Sequence, residues 1–280
     1  MPRMLEAVSS VATLLLCGWT LVALEAQAPP ATTATPPALS HAEMEAFLSK
    51  ARIVRTRPVS KGVTGTVRAT LSDGSRTHDA SIQTIDERKH TVTHARGTEV
   101  NFRDAWQFNV AAYRLDRLLE LDMVPVSVER RFNGQEAAFT WWVDDVLMDE
   151  GERVKQKIEA PDRAAWSQQI WTMRVFDQLI DNTDRNLGNL LITSTWRLWL
   201  IDHTRAFRWT RTLRQPHYLT RCDRALLEKL RALDRDTLRK AMGRYLGGEE
   251  IDALLARRDL IVAHFERLGG TALYDTRRTP

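Results

Sequence analysis

Apolar residues recur with a period of two through much of the first half of the chain and with a helical period through most of the second. From Ile53 the pattern is strand-like. Residues 59–74 (VSKGVTGTVRATLSDG) and 77–86 (THDASIQTID) alternate, with Ala80, Ile82 and Thr84 on one face, and Asp73-Gly74 marks a turn between them, so the two segments predict a hairpin. Phe102 to Leu121 reads as a helix, because Ala105, Phe108, Ala112, Leu115 and Leu119 recur at helical spacing. Pro125 ends that pattern, and residues 123–143 (MVPVSVERRFNGQEAAFTWWV) predict a second hairpin about Asn133-Gly134. Helices are expected over Ala164–Asp181, Arg224–Ala232, Arg235–Tyr245 and Glu249–Leu268, with Gly247-Gly248 and Gly269-Gly270 as helix stops. A strand-rich part with one long helix, followed by a helical part, predicts an α+β protein of two lobes with a cleft between them.

The start of the chain follows a different pattern. Arg3, an apolar run from Val8 to Leu24 and the Ala26-Gln27-Ala28 site before Pro29 predict a signal peptide over residues 1–28, hence export to the periplasm or exterior. The run is short for a bilayer span and no second one follows, so no membrane span is expected after cleavage. Residues 28–39, APPATTATPPAL, have no packing face and read as a Pro/Ala/Thr linker, placed at 29–40. The two lobes are then expected at 41–148 and 149–280. Cleavage removes Cys17 and leaves Cys222 without an intramolecular partner, so the core must hold the fold without disulfides. With 43% hydrophobic and 27% charged residues the composition is globular, and a net charge of +4 favours anionic partners without naming one.

The chemistry concentrates in residues 181–207, DNTDRNLGNLLITSTWRLWLIDHTRAF, where two polar clusters flank an apolar run. Ser194-Thr195 sits between two apolar segments and predicts a tight hairpin. Folding there brings Asn189 and Asp202 together at its open end, although thirteen positions separate them. A carboxylate and an amide oxygen suit a hard cation such as Mg²⁺, which keeps its remaining positions for water or substrate phosphates. Asp184, five residues before Asn189, is placed to accept a proton from a hydroxyl nucleophile. Another reading gives the same residues structural work, with Asp181, Asn182 and Asp184 capping the preceding helix and Asp202 pairing with Arg205.

Asp184-Arg185-x-x-x-Asn189 followed by Ile201-Asp202 resembles the catalytic loop and metal-binding aspartate of protein kinase-like enzymes. The wording Asn182-Thr183-Asp184-Arg185-Asn186 is similar to the atypical branch: HipA-like kinases, phosphoinositide kinases and the secreted Golgi casein kinases. The resemblance implies a two-lobed kinase-like fold that binds ATP or another nucleotide with Mg²⁺ or Mn²⁺. Asp184 would be the base, Asn189 and Asp202 the metal ligands, and Arg185 the residue that orders the loop. Asn186 stands where histidine is usual, and His203-Thr204 where Phe-Gly is usual.

The same resemblance asks for a glycine-rich loop and for a lysine–glutamate pair that holds the phosphates. Lys61-Gly62-Val63-Thr64-Gly65-Thr66 suits the loop, an ordinary turn before a strand being the other reading of Gly62 and Gly65. Gln83 falls at the lysine position and Asn109 at the glutamate position, so a neutral amide pair replaces the ion pair, and Lys61 or Lys89 is left to supply a cation. The implied activity is phosphate transfer to a protein or small-molecule hydroxyl. The missing lysine also admits a pseudokinase that binds or scaffolds without catalysis. Aromatic and basic residues interleave from Trp196 to Arg214, a pattern that also occurs in polyanion-binding surfaces, though here nucleic acid is not the expected partner. No HExxH and no cysteine pair marks a zinc site, and no G-x-S-x-G elbow is present.

Overall fold

Ser40 opens the fold with a capping box: its hydroxyl accepts from Glu43 N, while its own N–H donates to the Glu43 carboxylate at 2.8 Å. The helix it starts, α1 (His41–Lys50), buries Phe47 and Leu48. The computed structural model describes residues 39–59, 65–94 and 97–276. The expected signal peptide and nearly all of the linker, and Lys61, Gly62 and Thr64 of the expected loop, lie outside them.

Strands β1 (Arg52–Pro58), β2 (Val67–Ser72) and β3 (Thr77–Gln83) form a meander whose second turn is the expected one, Asp73 Oδ1 accepting from the backbone N–H groups of Ser75 and Arg76. A second hairpin follows that the sequence pattern did not show: β4 (Asp86–His94) with β5 (Gly97–Ala105), standing apart from the main sheet. The expected helix over Phe102–Leu121 is corrected accordingly. Phe102 to Ala105 lie in β5, and the helix α2 runs from Gln107 to Leu119. Phe102 and Ala105 are buried in either arrangement, so their spacing does not decide between them, and pairing with Lys89 and Asp86 on β4 does.

Strands β6 (Ser127–Phe132) and β7 (Gln135–Trp141) turn at Asn133 and Gly134, with φ of 50° and 84° as a two-residue hairpin of this type requires. They complete an antiparallel sheet in the order β1-β2-β3-β7-β6. The chain then passes through β8 (Val146–Asp149) and the short α3 (Glu150–Gln156) into the helical lobe. There α4 (Arg163–Ile180) leads to the hairpin of β9 (Leu190–Thr193) and β10 (Leu198–Leu200), which pairs with β8. After β11 (Cys222–Asp223) come α5 (Arg224–Ala232), α6 (Arg235–Met242) and α7 (Gly248–Leu268), and β12 (Leu273–Tyr274) returns beside β11. Gly269, at φ 74°, ends α7 as expected. Gly247 does not stop a helix; it precedes α7 as its cap residue, and α6 has already ended at Met242.

One hydrophobic core joins the lobes, from Leu71, Ile82 and Phe139 of the sheet through Phe108 and Leu115 of α2 to Phe176 of α4 and Phe265 of α7. Helix α2 packs against α5 and α6, which fixes its orientation toward the helical lobe. Arg257 of α7 is fully buried and donates to the carbonyls of Leu179, Arg208 and Thr210, tying the segment after Asp202 to α4 and α7. No helix among the described residues is long and apolar enough to cross a membrane.

Candidate active site

The β9–β10 hairpin turns at Ser194-Thr195, with Trp196 at φ 61° donating its N–H to Thr193 O at 2.9 Å. Leu190 faces Leu200 in the ladder, and one step further Ile201 N donates to Asn189 O at 3.1 Å. Asn189 and Asp202 therefore leave the open end of the hairpin side by side. Asp202 sits at φ 56°, a left-handed conformation that an aspartate tolerates better than most residues and that concentrates at functional sites.

The polar loop before the hairpin divides its labour. Asp181 ends α4 and is paired with Arg214 at 3.0 Å, and Asn182 Oδ1 accepts from Asp184 N at 3.0 Å, so both are structural. Among the described residues the Asp184 side chain caps no backbone N–H; it faces the cleft, with Arg205 Nη1 3.9 Å from its Oδ2. Arg205, which the structural reading of the sequence paired with Asp202, thus reaches Asp184 instead.

Arg185 does not line the cleft; it lies beneath the loop and ties it together. Its Nε lies 2.9 Å from Asp177 Oδ2, its Nη1 donates to Asn189 O at 3.2 Å and Ile201 O at 2.8 Å, and its Nη2 donates to His203 Nε2 at 3.0 Å. One planar fork thereby holds α4, the loop and both ends of the hairpin. Accepting at Nε2 requires a neutral His203, and burial together with the adjacent Arg185 charge pushes its pKa well below the usual histidine range.

Gln83, at the end of β3, and Asn109, on α2, meet as the sequence alignment predicts. Asn109 Nδ2 donates to Gln83 Oε1 at 2.7 Å and Asn109 Oδ1 accepts from His203 N at 2.8 Å. Gln83 Nε2 points on to Asp202 Oδ1 at 3.4 Å. A chain of neutral amides thus connects sheet, helix and hairpin at the spot where the resembled fold carries charge. Lys89 lies elsewhere, paired with Glu87 at 2.7 Å and more than half exposed. Gly65, at φ 64°, belongs to the expected phosphate loop, and Val59 N donates to Thr66 O at 3.0 Å across the base of that loop, at the cleft's edge.

The cleft encloses about 870 Å³, within the range of small-molecule sites. Val124, Pro125, Met148, Leu191 and Leu200 give it an apolar floor suited to a flat ring, while Gln83, Asn109, Asp184, Asn189 and Asp202 line the polar part. Among the described residues that line it there is no lysine or arginine. No group of three or more His, Cys, Asp or Glu side chains among the described residues is arranged as a metal centre. The residues do fit a cation that shares its coordination with a substrate: Asn189 Nδ2 donates to Asp184 O at 3.4 Å, which turns Oδ1 outward, and neither that oxygen nor Asp202 Oδ2 receives a hydrogen bond among the described residues. These are hard oxygen donors, as Mg²⁺ and Mn²⁺ prefer.

Four residues make contacts at the site that the sequence pattern did not give them. Asp177 carries no motif; its helical position facing Arg185 is visible only in three dimensions. His203 and Thr204 follow Asp202 directly, and Thr204 Oγ1 donates to Asp202 Oδ1 at 3.0 Å. Asp104 on β5 is buried near them, and burial raises its pKa, as does the charge of Asp202. The aromatic and basic run is dispersed among several partners: Trp196 packs edge-on to Trp166 at 5.8 Å, Arg197 covers Trp199 at 4.1 Å, and Arg211 pairs with Glu249 at 3.4 Å.

No protein-family model and no curated protein matches the chain. Solved structures do. A structure of hydra Fam20 with sugar superposes with a TM-score of 0.64 at 15% identity, covering 85% of this chain and 93% of that one. A Golgi casein kinase with Mn/ADP bound gives a TM-score of 0.59 at 12% identity, over 85% of this chain and 80% of the other. The Helicobacter pylori proinflammatory kinase CtkA gives 0.52 at 10% identity, over 79% and 95%. The chain therefore has the two-lobed, α+β, atypical kinase-like fold.

Proposed function

We propose that this chain is an exported, metal-dependent phosphotransferase that moves the γ-phosphate of a nucleotide to a hydroxyl of a protein or small molecule. The observation that carries the reading is the convergence of Asp184, Asn189 and Asp202 on the polar part of one cleft in a kinase-like fold. In this reading Asn189 and Asp202 hold Mg²⁺ or Mn²⁺, which supplies charge neutralisation at the phosphates when bound. Asp184 accepts the proton of the acceptor hydroxyl. Arg185 keeps loop and hairpin in register, and the apolar floor takes the base of the nucleotide. Gln83 and Asn109 replace the ion pair of the resembled fold with a hydrogen bond, and Lys61, Gly62 and Gly65 are assigned to the phosphates from the sequence pattern alone. The Golgi casein kinase structure was solved with Mn/ADP and the hydra structure with sugar, so Mn²⁺ belongs beside Mg²⁺ and sugar hydroxyls beside protein hydroxyls in a first screen. Export follows from the sequence pattern of residues 1–28.

The test is transfer from γ-labelled ATP to a panel of protein and sugar acceptors, with Mg²⁺ or Mn²⁺. Transfer that Asp184→Asn lowers by about 10²–10⁴-fold, the usual worth of a general base, supports the reading. The amide pair and a lining without lysine or arginine among the described residues favour a second one, a pseudokinase that binds a partner without turnover. Nucleotide binding without transfer to any acceptor would select it.

A further inference from the structure

Three cationic side chains gather on one phenyl ring, that of Phe102 on β5. Arg205, Arg208 and Lys89 lie 5.0, 5.5 and 5.7 Å from the centroid of Phe102. Lys89 is paired with Glu87, and Arg208 Nη2 lies 3.5 Å from Thr183 Oγ1. Arg205 forms an ion pair with Asp184, at 3.9 Å. Its main chain is fixed to the same loop, since Arg205 O accepts from Thr183 N at 3.4 Å and Thr183 Oγ1 at 3.0 Å. The residue beside the base therefore sets where this guanidinium stands.

Phosphoryl transfer spreads negative charge over the equatorial oxygens of the moving group, and fixed cations are what stabilise it. The Gln83–Asn109 pair adds no charge, and no lysine or arginine lines the cleft among the described residues. A base sits about 3 Å from the hydroxyl it deprotonates, and that oxygen about 3–3.5 Å from the atom it attacks. The transferring phosphorus thus lies roughly 5–6 Å from the Asp184 carboxylate. The Arg205 guanidinium, 3.9 Å from that carboxylate, is a cation standing beside this volume.

We propose that Arg205 is the cation of the transfer step, supplying from the segment after Asp202 the positive charge that β3 lacks; this rests on the phosphotransferase reading above. As the acceptor hydroxyl takes its place at Asp184, Arg205 turns to the equatorial oxygens of the γ-phosphoryl group. The acceptor O–P bond forms and the bond from the γ-phosphorus to the β,γ-bridging oxygen breaks. The hydroxyl proton passes to Asp184, the electron pair leaves on the nucleoside diphosphate, and Arg205 exchanges no proton.

The experiment compares the full chain with Arg205→Gln, Arg205→Lys and Asp202→Ala in two measurements. The first is thermal unfolding with ADP and metal, with and without aluminium fluoride, which mimics the transferring group. The wild type should gain an extra shift with fluoride that Arg205→Gln loses while keeping the shift with ADP alone. The second is turnover, expected to fall about 10³-fold in Arg205→Gln with little change in nucleotide KM, the lower end of what such arginines contribute. A wild-type fluoride increment with lowered turnover would confine Arg205 to a role on Asp184 and overturn the proposal. Arg205→Gln with a wild-type fluoride increment and turnover would overturn it too, and would leave the phosphotransferase reading standing where Asp202→Ala abolishes the ADP shift. Should Arg205→Gln not fold, Arg205→Lys decides: it keeps the charge but not the fork, so reduced turnover with an intact ADP shift supports the proposal and unchanged turnover overturns it. A wild type with neither ADP shift nor transfer removes the function and this inference with it.

Discussion

Asn109 and Gln83 share a buried 2.7 Å hydrogen bond, and the far side of Asn109 accepts the backbone N–H of His203. One amide side chain therefore sets both the distance from helix α2 to the sheet and the position of the residue next to Asp202. A charged pair would give the same geometry with a cation in the cleft; the amides give the geometry alone. Among the described residues, this link between sheet, helix and hairpin is therefore made by neutral contacts.

Removing that amide should cost stability as well as order. Asn109→Leu leaves Gln83 Oε1 and His203 N without their partners in a buried place. Two such groups cost about 2–4 kcal/mol together, or several degrees in Tm. Chemical denaturation of the two proteins side by side checks the figure; equal stability would show the amide bridge to be incidental.

Arg185→Lys tests the fork. The substitution keeps the charge opposite Asp177 but cannot span Asn189 O, Ile201 O and His203 Nε2 from one plane. A stability loss of about 2–4 kcal/mol is expected from the part-broken buried pair, together with a weaker nucleotide-dependent shift. Thermal unfolding with and without ATP and metal reads both effects.

Asp116 gives the fold a pH signature. Its Oδ1 accepts from Met123 N at 2.9 Å and Val124 N at 3.1 Å, holding the floor of the cleft, yet burial pushes its carboxyl up to about 6. Because the folded state holds this proton more tightly than the unfolded chain, its contribution is fully present below about pH 4 and is lost as pH rises through about 6, worth roughly 3 kcal/mol in all. His203 runs the other way, since its lowered pKa makes the folded state resist protonation as pH falls below the ordinary histidine range. Asp116→Asn keeps the acceptor oxygen and isolates the first effect. The stability difference between wild type and variant should shift in favour of the wild type from pH 6 to pH 4; a flat difference would place the Asp116 proton elsewhere.

Much of the site was legible in the sequence because it is local. The Asp184-to-Asp202 stretch contains its own turn, so strand alternation and a tight hairpin are enough to bring Asn189 to Asp202. Gln83 and Asn109 were legible through alignment of β3 and α2 to a known frame, which needs only the order of elements. What was not legible is set by long-range partners. Phe102 and Ala105 fit a helix or a strand until β4 pairs with them, and Asp177 is unremarkable until Arg185 folds back onto α4. The capping box of Ser40 and Glu43 was present in the sequence and marks α1, yet a helix of ten residues announced by two polar side chains is a small signal.

Export predicts a cleaved chain. N-terminal sequencing or intact-mass measurement of the secreted protein should find Pro29 first, and a chain retaining residues 1–28 would contradict that part of the account.

The most direct measurement is thermal unfolding of the full-length protein with ATP and Mg²⁺ or Mn²⁺, beside Asp202→Ala. A ligand at a hundred times its dissociation constant stabilises by about 2.7 kcal/mol, which appears as a shift of several degrees. The account predicts a shift that requires the metal and that Asp202→Ala loses. An Asp202→Ala protein that shifts as the wild type does, or a wild type that responds to no nucleotide with either metal, would contradict it.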